Sequence, residues 1–526
     1  MKTLLVCVGS FYSHRYEKFK HYISPLGISS ISAYLKANGM DCYLIDMKLL
    51  SGWKEFGEKV LAISPDVVGL SLMTSEMGNT AGVINFIKKI RPKARIIVGG
   101  PHVTVLPKET VSMSGVDVGV IGEGEVTFLD LLRCFEKNGK LNFVNGIVFK
   151  LKDKIVFTKA RQYIRNLDKL PFVDRNIIGS EGWYSKAYGL FFPMRYPFAN
   201  VIVSRGCPGR CTMCQPTLDL IFGRPARFRS PENVVGEIRE LIEKYKIKSI
   251  IFWDDTLTAN VKWLEKFSNL LIRKKINIDW WCYSRVNNIN DDILEIMKRS
   301  GCKMICFGVE SGCQRILNEV MRKGTTVKQN IKAVSLCRKH GILVNANVMI
   351  GSPTETLKEV KMTDALLKIT KPDIVWASVT SPLPGTYLEE DARKKGLIIT
   401  KKWGDFTRGQ IGKTKLKLKI SLDEMVKYQT RWHQTRFKPI YIFRKYYLVA
   451  CLRLFLCHIK QFHFERIFLD FLVGPIIEFG RRIYWRYYFR FKTRLHKSGV
   501  FVDESEEIVV QGEIKKFEFP AEFYRD

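Results

Sequence analysis

Five short runs of apolar, largely β-branched residues recur at 3–9 (TLLVCVG), 42–47 (CYLIDM), 66–72 (DVVGLSL), 94–100 (ARIIVGG) and 117–123 (DVGVIGE). A strand that is apolar on both faces has no side to offer to water. Such strands belong in a parallel sheet covered by helices above and below. The segments between them, such as ISSISAYLKANG and TAGVINFIKKIRP, have helical periodicity and close on Gly or Pro. Residues 1–145 are therefore expected to form a doubly wound α/β domain. Ligands of such sheets bind outside the carboxyl ends of the strands. The sequence places its small and polar residues there: Ser71, Thr74 and Ser75, then Gly99, Gly100 and His102, then Gly122, Glu123 and Gly124.

A polar connector over 146–195, containing LDKLPFVDR at 167–175, leads to a second strand–helix series. Its strands read NVIVSRG, SIIFWDD, IDWWCYSR, KMICFGVE, LVNANVMIG and DIVWASVT. Six units are too few to close an eight-stranded barrel, yet their spacing is that of a barrel. Residues 196–400 are expected to form a partial (β/α)6 barrel. Over 401–526 the strand signals fade into a basic, aromatic, helix-leaning region.

With 526 residues and 46% hydrophobic content the chain is globular and large enough for several cores. The opening MKTLLVCVGSF reads as a buried first strand rather than a signal peptide. No apolar run reaches the roughly 18 residues of a spanning helix. Thirteen cysteines, an odd number and scattered apart from one tight group, suit thiolate ligands in a reducing cytoplasm better than disulfides. The formal charge of +33 calls for an anionic partner. Between Arg431 and Lys497 fifteen Lys and Arg face three acids and are interleaved with eighteen aromatic residues. That mixture suits a lipid interface first, a solvated helical cap second and RNA third.

The one tight group is SRGCPGRCTMCQP, which spaces Cys207, Cys211 and Cys214 as C-x3-C-x2-C directly after a strand. Three thiolates hold three irons of a cubane and leave the fourth open. Gly206 and Gly209 let the loop wrap closely, and Arg205 and Arg210 favour the thiolate forms. The alternatives are zinc or three unrelated cysteines. A structural zinc site wants a fourth ligand, and none with matching spacing lies near.

The motif and the six strand–helix units resemble the radical S-adenosylmethionine superfamily. In that family S-adenosylmethionine chelates the open iron of a 4Fe-4S cluster and is cleaved to a 5′-deoxyadenosyl radical. The resemblance implies cofactor contacts from Asp254 and Asp255 in WDDTLT, Arg285, Glu310 and Ser311 in FGVESG, and Ile350 and Gly351 in VMIGSPTET. Each also has a plainer reading: Asp254 and Asp255 as helix caps, and Arg285 as a partner of Glu310. Where the family usually has an aromatic residue against the adenine, this chain has Met213, whose thioether also packs on a ring. Cys302, Cys306 and Cys313 raise the question of a second cluster, but two of them flank or lie in a predicted strand, where free cysteine is commonly buried.

Ahead of the barrel, SPLGISSISAYLKANG, VGGPHVTVLP and VIGEGEVTFLDLL, with the LDKLP-x-x-DR connector, resemble the cobalamin-binding class of radical enzymes. That class includes the anaerobic magnesium-protoporphyrin monomethyl ester cyclases, methyltransferases and lipid-modifying enzymes. Many cobalamin domains supply an axial histidine from Asp-x-His-x-x-Gly. Here the stretch reads Asp46-Met47-Lys48-Leu49-Leu50-Ser51, so the resemblance implies cobalamin without a histidine ligand from that loop.

The expected function is a radical enzyme that modifies an unactivated carbon of a hydrophobic or lipid-like small molecule by methylation, cyclisation or carbon–carbon coupling. It would draw single electrons from a flavodoxin- or ferredoxin-type donor. The expected location is cytoplasmic, with peripheral contact to the inner membrane face rather than to nucleic acid. One rival is an RNA-modifying methylthiotransferase, which needs a second cluster that only Cys7, Cys42 and Cys134 are available to hold. Another is a non-catalytic iron–sulfur protein binding RNA or membrane.

Overall fold

A computed structural model describes residues 1–9, 11, 24–177, 195, 197–399 and 416–435, with short stretches at 501–502, 507–510 and 513–516. The first sheet contains β1 (Thr3–Cys7), β2 (Cys42–Asp46), β3 (Val67–Ser71), β4 (Arg95–Gly99) and β5 (Val118–Val120), all parallel. Its order is β2-β1-β3-β4-β5 and then β6 (Ile147–Leu151) and β7 (Lys154–Phe157). The last two pair antiparallel, through a tight turn at Lys152, whose φ is +54°. This hairpin falls where the sequence reads as the start of the connector. Helices Leu26–Ala37, Trp53–Ile63, Met77–Ile90 and Gly124–Glu136 cover the parallel strands, which are almost wholly buried. Packing here is tight: a Cβ on Gly69 of β3 would stand 2.7 Å from the side chains of Leu5 and Phe128.

The second sheet is entirely parallel, in the order β15-β14-β13-β12-β11-β8. Its strands are β8 (Phe198–Val201), β11 (Ser249–Phe252), β12 (Asp279–Ser284), β13 (Cys302–Glu310), β14 (Leu343–Ile350) and β15 (Ile374–Val379). A small ribbon, β9 (Ser204–Arg205) with β10 (Arg227–Phe228), interrupts the first crossover. Helix starts follow the capping chemistry of the sequence: Ser230, Asn260 and Asn290 each accept a backbone N–H, and Thr326 with Gln329 and Thr356 with Glu359 form capping boxes.

Alternation along each strand divides the side chains. Val201, Phe252, Trp280, Phe307, Ala346 and Ala377 join the core under the helices. The alternate positions Trp281, Tyr283, Asn347, Met349 and Trp376 belong to the opposite, concave face.

The connector ties the two sheets through adjacent residues that reach in opposite directions. Asp174 accepts from Ser32 Oγ at 2.6 Å and Lys36 Nζ at 2.7 Å on the first domain. Arg175 donates to the Asn200 carbonyl at 2.9 Å and to Glu237 at 3.0 Å on the second. Asn200 in turn donates to the Ser24 carbonyl at 2.8 Å.

Helix Leu422–Thr435 opens the C-terminal region and closes the β15 edge: Gln429 donates to Ala377 O at 3.0 Å, and Trp432 donates to Asp364 at 3.2 Å. Residues 436–500, which carry most of the basic aromatic segment, lie outside the described residues. A second unit, Val449–Asp526, contains a small antiparallel sheet of β16 (Phe501–Val502), β17 (Glu507–Val510) and β18 (Glu513–Lys516). Among the described residues no helix is long and apolar enough to cross a membrane.

Both side chains of the Arg175–Glu237 pair are only 3% exposed. Arg175→Ala therefore removes one of two guanidinium partners of a buried carboxylate and leaves Arg229 at 2.6 Å. A loss of about 1–3 kcal/mol is expected, seen as a lowered denaturant midpoint of the cluster-free protein.

Candidate functional site

The site begins where β8 leaves its sheet. Asp254, at the end of β11, is 2% exposed, and its Oδ1 accepts from Val203 N (3.0 Å), Ser204 N (2.6 Å) and Ser204 Oγ (2.6 Å). Burial pushes this carboxyl up to about 7 against those hydrogen bonds. Asp254 thus serves the backbone that delivers the cysteine loop rather than capping a helix. Its Oδ2 has no hydrogen-bond partner among the described residues.

The loop turns at Gly206, with φ +91°, and brings out the three cysteines. Cys211 is buried, Cys207 half-buried and Cys214 exposed. Gly209 N donates to Cys207 Sγ at 3.4 Å, Thr256 Oγ1 lies 3.5 Å from the same sulfur, and Arg285 Nη1 donates to Cys211 Sγ at 3.3 Å. The loop carbonyls are also held: Leu388 N donates to Thr212 O at 3.0 Å, and Tyr387 N to Gln215 O at 2.8 Å. Thr212 bonds back to Val320 O at 2.6 Å, on a π-helical turn over Ile316–Val320. Among the described residues no three His, Cys, Asp or Glu side chains converge to hold a single metal ion. A cubane asks for something different, three thiolates each on its own iron. One short loop that carries all three, two of whose sulfurs receive N–H donors, fits that requirement.

Beside the loop lies a buried ion pair. Glu310 ends β13 at φ +60° and meets Lys323 Nζ at 2.7 Å, with both side chains about one-tenth exposed. Burial opposes the charge on Lys323, but Glu310 and Cys211 outweigh it and raise its pKa. Glu310 therefore pairs with Lys323 and not with Arg285, which binds Cys211 and the Lys323 carbonyl. The cost of an unpaired carboxylate at the end of an apolar strand is the signal that a cation had to be near, and Lys323, just before Gly324, is that cation.

The other sequence-selected residues divide by exposure. Asp255 is exposed and Met213 half-buried, packed beside Val320 and Met321. Ser311 is fully buried and accepts from Cys313 N at 3.1 Å, and Ile350 is buried under the helices, leaving only its backbone for a ligand. Gly351, at φ +78°, donates its N–H to Glu355 at 2.8 Å, and Ser352 N does so at 3.0 Å. Glu355, which the sequence reading passed over, is pushed up to about 7 by burial.

On the first sheet, Ser71, Thr74, Ser75, Gly99, Gly100 and Gly122 are all partly accessible at the carboxyl ends of β3, β4 and β5. Gly100 has φ +101°, and a Cβ there would stand 2.9 Å from the Leu72 carbonyl, so the turn admits only glycine. His102 is not among these accessible residues: the ring is fully buried with Nδ1 3.0 Å from Thr74 Oγ1, and burial holds it down to about 4. Lys48, at the position of the missing histidine, lays its side chain over Gly9. Glu123 turns its carboxylate toward Arg205 and Arg227, and Gly124 abuts Ile31. Cys7 and Cys42 are buried, and burial pushes Cys42 up to about 11, while Cys134 sits in helix Gly124–Glu136. Cys302 and Cys306 are buried within β13.

The raised carboxyl of Asp254 gives a signed expectation. The folded protein holds a proton that the unfolded chain releases at 3.8, so this group's contribution to stability is complete below about pH 4 and is lost as pH rises to about 7. Asp254→Asn keeps an acceptor for Val203 and Ser204 and removes the titration. Unfolding free energies of the cluster-free variant, from denaturant titrations, should then lack up to about 4 kcal/mol of the wild type's decline between about pH 4 and pH 7.

A family model described as the B12 binding domain matches residues 15–132, and one described as the radical SAM superfamily matches residues 201–367. An uncharacterized methyltransferase of Pyrococcus horikoshii is 32% identical over 390 residues, covering 73% of this chain and 81% of its own. The anaerobic magnesium-protoporphyrin IX monomethyl ester cyclase of Rubrivivax gelatinosus is 27% identical, covering 88% and 81%. The radical S-adenosylmethionine methyltransferase TsrM of Kitasatospora setae shares the fold, with a TM-score of 0.63 over 76% of each chain at 17% identity. The cofactors of the two matched families are a 4Fe-4S cluster, S-adenosylmethionine and cobalamin. The chain belongs to the radical S-adenosylmethionine enzymes that carry an N-terminal B12-binding domain, and is an enzyme of their methyltransferase or oxidative-cyclase type.

Proposed function

We propose that this enzyme modifies an unactivated carbon of a hydrophobic, lipid-like small molecule held against the concave face of its second sheet. The observation that carries the substrate class is an aromatic wall on that face. Trp253 and Tyr283 stack with centroids 5.3 Å apart, and Trp281 meets them edge-on or tilted at 5.9 and 5.6 Å. Trp376, on the β15 side, is 41% exposed. Trp281 itself is buried, while the half-buried Trp253 and Tyr283 and the exposed Trp376 offer apolar contact to a substrate and little hydrogen bonding.

In this reading Cys207, Cys211 and Cys214 hold the cluster. Met213, Asp255, Arg285, Glu310, Ser311 and the backbone of Ile350 and Gly351 surround S-adenosylmethionine, while Asp254 orders the loop from behind. Ser71, Thr74, Ser75, Gly99, Gly100, Gly122 and Gly124 carry the corrin. When bound, these groups supply a primary carbon radical for hydrogen abstraction, and a methyl group or an electron. The protein's own part is positional and electrostatic. Arg285 and Lys323 place two cations beside the Cys211 sulfur, which compensates thiolate charge in a low-dielectric setting. Glu310 balances one of them and is held by it at a fixed position. Electrons come from a flavodoxin- or ferredoxin-type donor, and the basic tail brings the enzyme to an anionic lipid surface, a reading that rests on residues 431–497 alone.

Anaerobic reconstitution followed by S-adenosylmethionine and reductant should release 5′-deoxyadenosine. The Cys207→Ala, Cys211→Ala, Cys214→Ala triple variant should bind almost no iron and release none. Full iron in that variant means that other cysteines hold the cluster. Lipid extracts of a strain lacking the gene should lose a modified hydrophobic product, and a change confined to RNA nucleosides would point to the methylthiotransferase reading instead. Bound cob(II)alamin should show no nitrogen splitting from the protein in its paramagnetic spectrum, and His102→Ala should leave that spectrum unchanged.

A further inference from the structure

The loop that follows β5 and the loop that carries the cysteines meet at four buried charges. Arg205 Nη1 lies 2.8 Å from Glu123 Oε1 and 3.3 Å from Glu125 Oε2, and its Nη2 binds Glu125 Oε1. Arg227 puts Nη2 3.0 Å from Glu123 Oε1 and Nη1 3.2 Å from Glu123 Oε2. The two carboxylate side chains are 4% exposed and the two arginine side chains 13%. The remaining lone pairs are also used: Ile164 N donates to Glu123 at 2.6 Å, and Ser30 Oγ to Glu125 at 2.7 Å. Arg205 and the neighbouring Ser30 hold Glu125 below the ordinary carboxylate range although burial pushes it up. Two positive and two negative groups make the set neutral, so neither domain buries an uncompensated charge.

Position gives this set its meaning. Glu123 stands between Gly122 and Gly124 at the end of β5, and Arg205 stands two residues before Cys207. The same seam continues past the cysteines. The Tyr163 hydroxyl donates to the carbonyls of Asp219 at 3.1 Å and Leu220 at 3.0 Å, in helix Thr217–Phe222, which starts three residues after Cys214. A Cβ on Gly122 would reach within 3.9 Å of the Ile221 carbonyl in that helix. The domains are also joined by Asp174, Arg175 and Asn200, so docking alone does not call for a charged latch here. Buried ion pairs add little net stability over apolar contacts of the same size, but two-pronged arginine forks fix distance and angle.

We propose that Glu123 and Arg205, with Glu125 and Arg227, are positioning residues that set the separation between the cobalamin site and the cluster loop. The proposal rests on the reading that both cofactors bind where the preceding section places them. Group transfer between two bound cofactors tolerates little misplacement, of the order of 1 Å. A rigid neutral latch at the boundary of both loops supplies that tolerance.

The test uses full-length protein reconstituted anaerobically with iron, sulfide and hydroxocobalamin, then reduced so that cluster and cob(II)alamin are both paramagnetic. Pulsed paramagnetic resonance reads the dipolar coupling between them. The wild type should show one well-defined coupling. Glu123→Ala with wild-type iron and corrin content should show a broad spread of couplings, and Arg205→Lys, which keeps the charge but loses the fork, a smaller broadening. Should Glu123→Ala fail to load, Glu123→Gln and Arg205→Lys carry the comparison. A merely structural role would lower the unfolding midpoint of these variants and leave the coupling sharp, which overturns the proposal. So would a wild type that holds both cofactors without measurable coupling. A wild type that takes up the cluster and no corrin instead overturns the underlying reading, and the proposal with it.

Discussion

The site depends on one buried carboxylate. Asp254 Oδ1 gathers the N–H groups of Val203 and Ser204 and the Ser204 hydroxyl, and so fixes the point at which the first strand of the second sheet stops pairing and becomes the cysteine loop. Those two N–H groups lie just past β8, where the ladder no longer supplies acceptors, and a buried donor without a partner is costly. Asp254 sits on the neighbouring β11 end, so its carboxylate substitutes for a strand that is not there. Everything downstream follows from that exit. Ser204 and Arg205 are placed to pair with Arg227 and Phe228, Gly206 turns, and the cysteines emerge over the carboxyl ends of β11, β12 and β13.

Around the sulfurs the chain arranges charge by burial rather than by number. Arg285 and Lys323 are the cations that face Cys211, and each is fixed by a second contact, Arg285 on the Lys323 carbonyl and Lys323 on Glu310. Most exposed pairs, such as Lys394–Glu390 and Lys395–Asp391, are separations of four on helix surfaces and contribute little. The cations held at Cys211 are thus a small, largely buried subset of a strongly basic protein.

Much of this was legible in the sequence because strands buried on both faces have little freedom in composition. All eleven apolar runs are strands at or near their expected positions, and most of the residues singled out at their ends lie there. What sequence reading lost has physical causes. The β6–β7 hairpin was hidden because its burial is partial, with Lys150, Leu151, Lys154 and Phe157 exposed, so the segment resembles a linker in hydropathy. His102 reads as a loop residue beside glycines, yet helix Pro101–Val105 draws it into the core. Glu355 and Lys323 act through contacts that no spacing rule encodes, one on the backbone N–H groups of Gly351 and Ser352 and the other on Glu310. Glu123 was chosen for the loop it occupies, and that placement holds, but its side chain serves the opposite domain.

Two kinds of force therefore divide the task of joining the domains. Apolar burial is strong but non-directional, and surfaces held by it alone can slide at small cost. Hydrogen-bonded ion pairs contribute less net energy but are directional, because a guanidinium fork meets two carboxylate oxygens in only a narrow range of poses. The chain uses the second kind at two places. At the connector, Asp174 and Arg175 turn adjacent backbone positions into anchors on opposite domains, so a short peptide cannot rotate without breaking one of them. Close by, Glu123 and Glu125 meet Arg205 and Arg227 beside the cysteine loop, and both sets reach helix Leu26–Ala37, Glu125 through Ser30 and Asp174 through Ser32. A single directional bond leaves the joint free to swivel about it, whereas several with different directions restrict that rotation. That is the condition a chemistry shared between two domains requires of its scaffold.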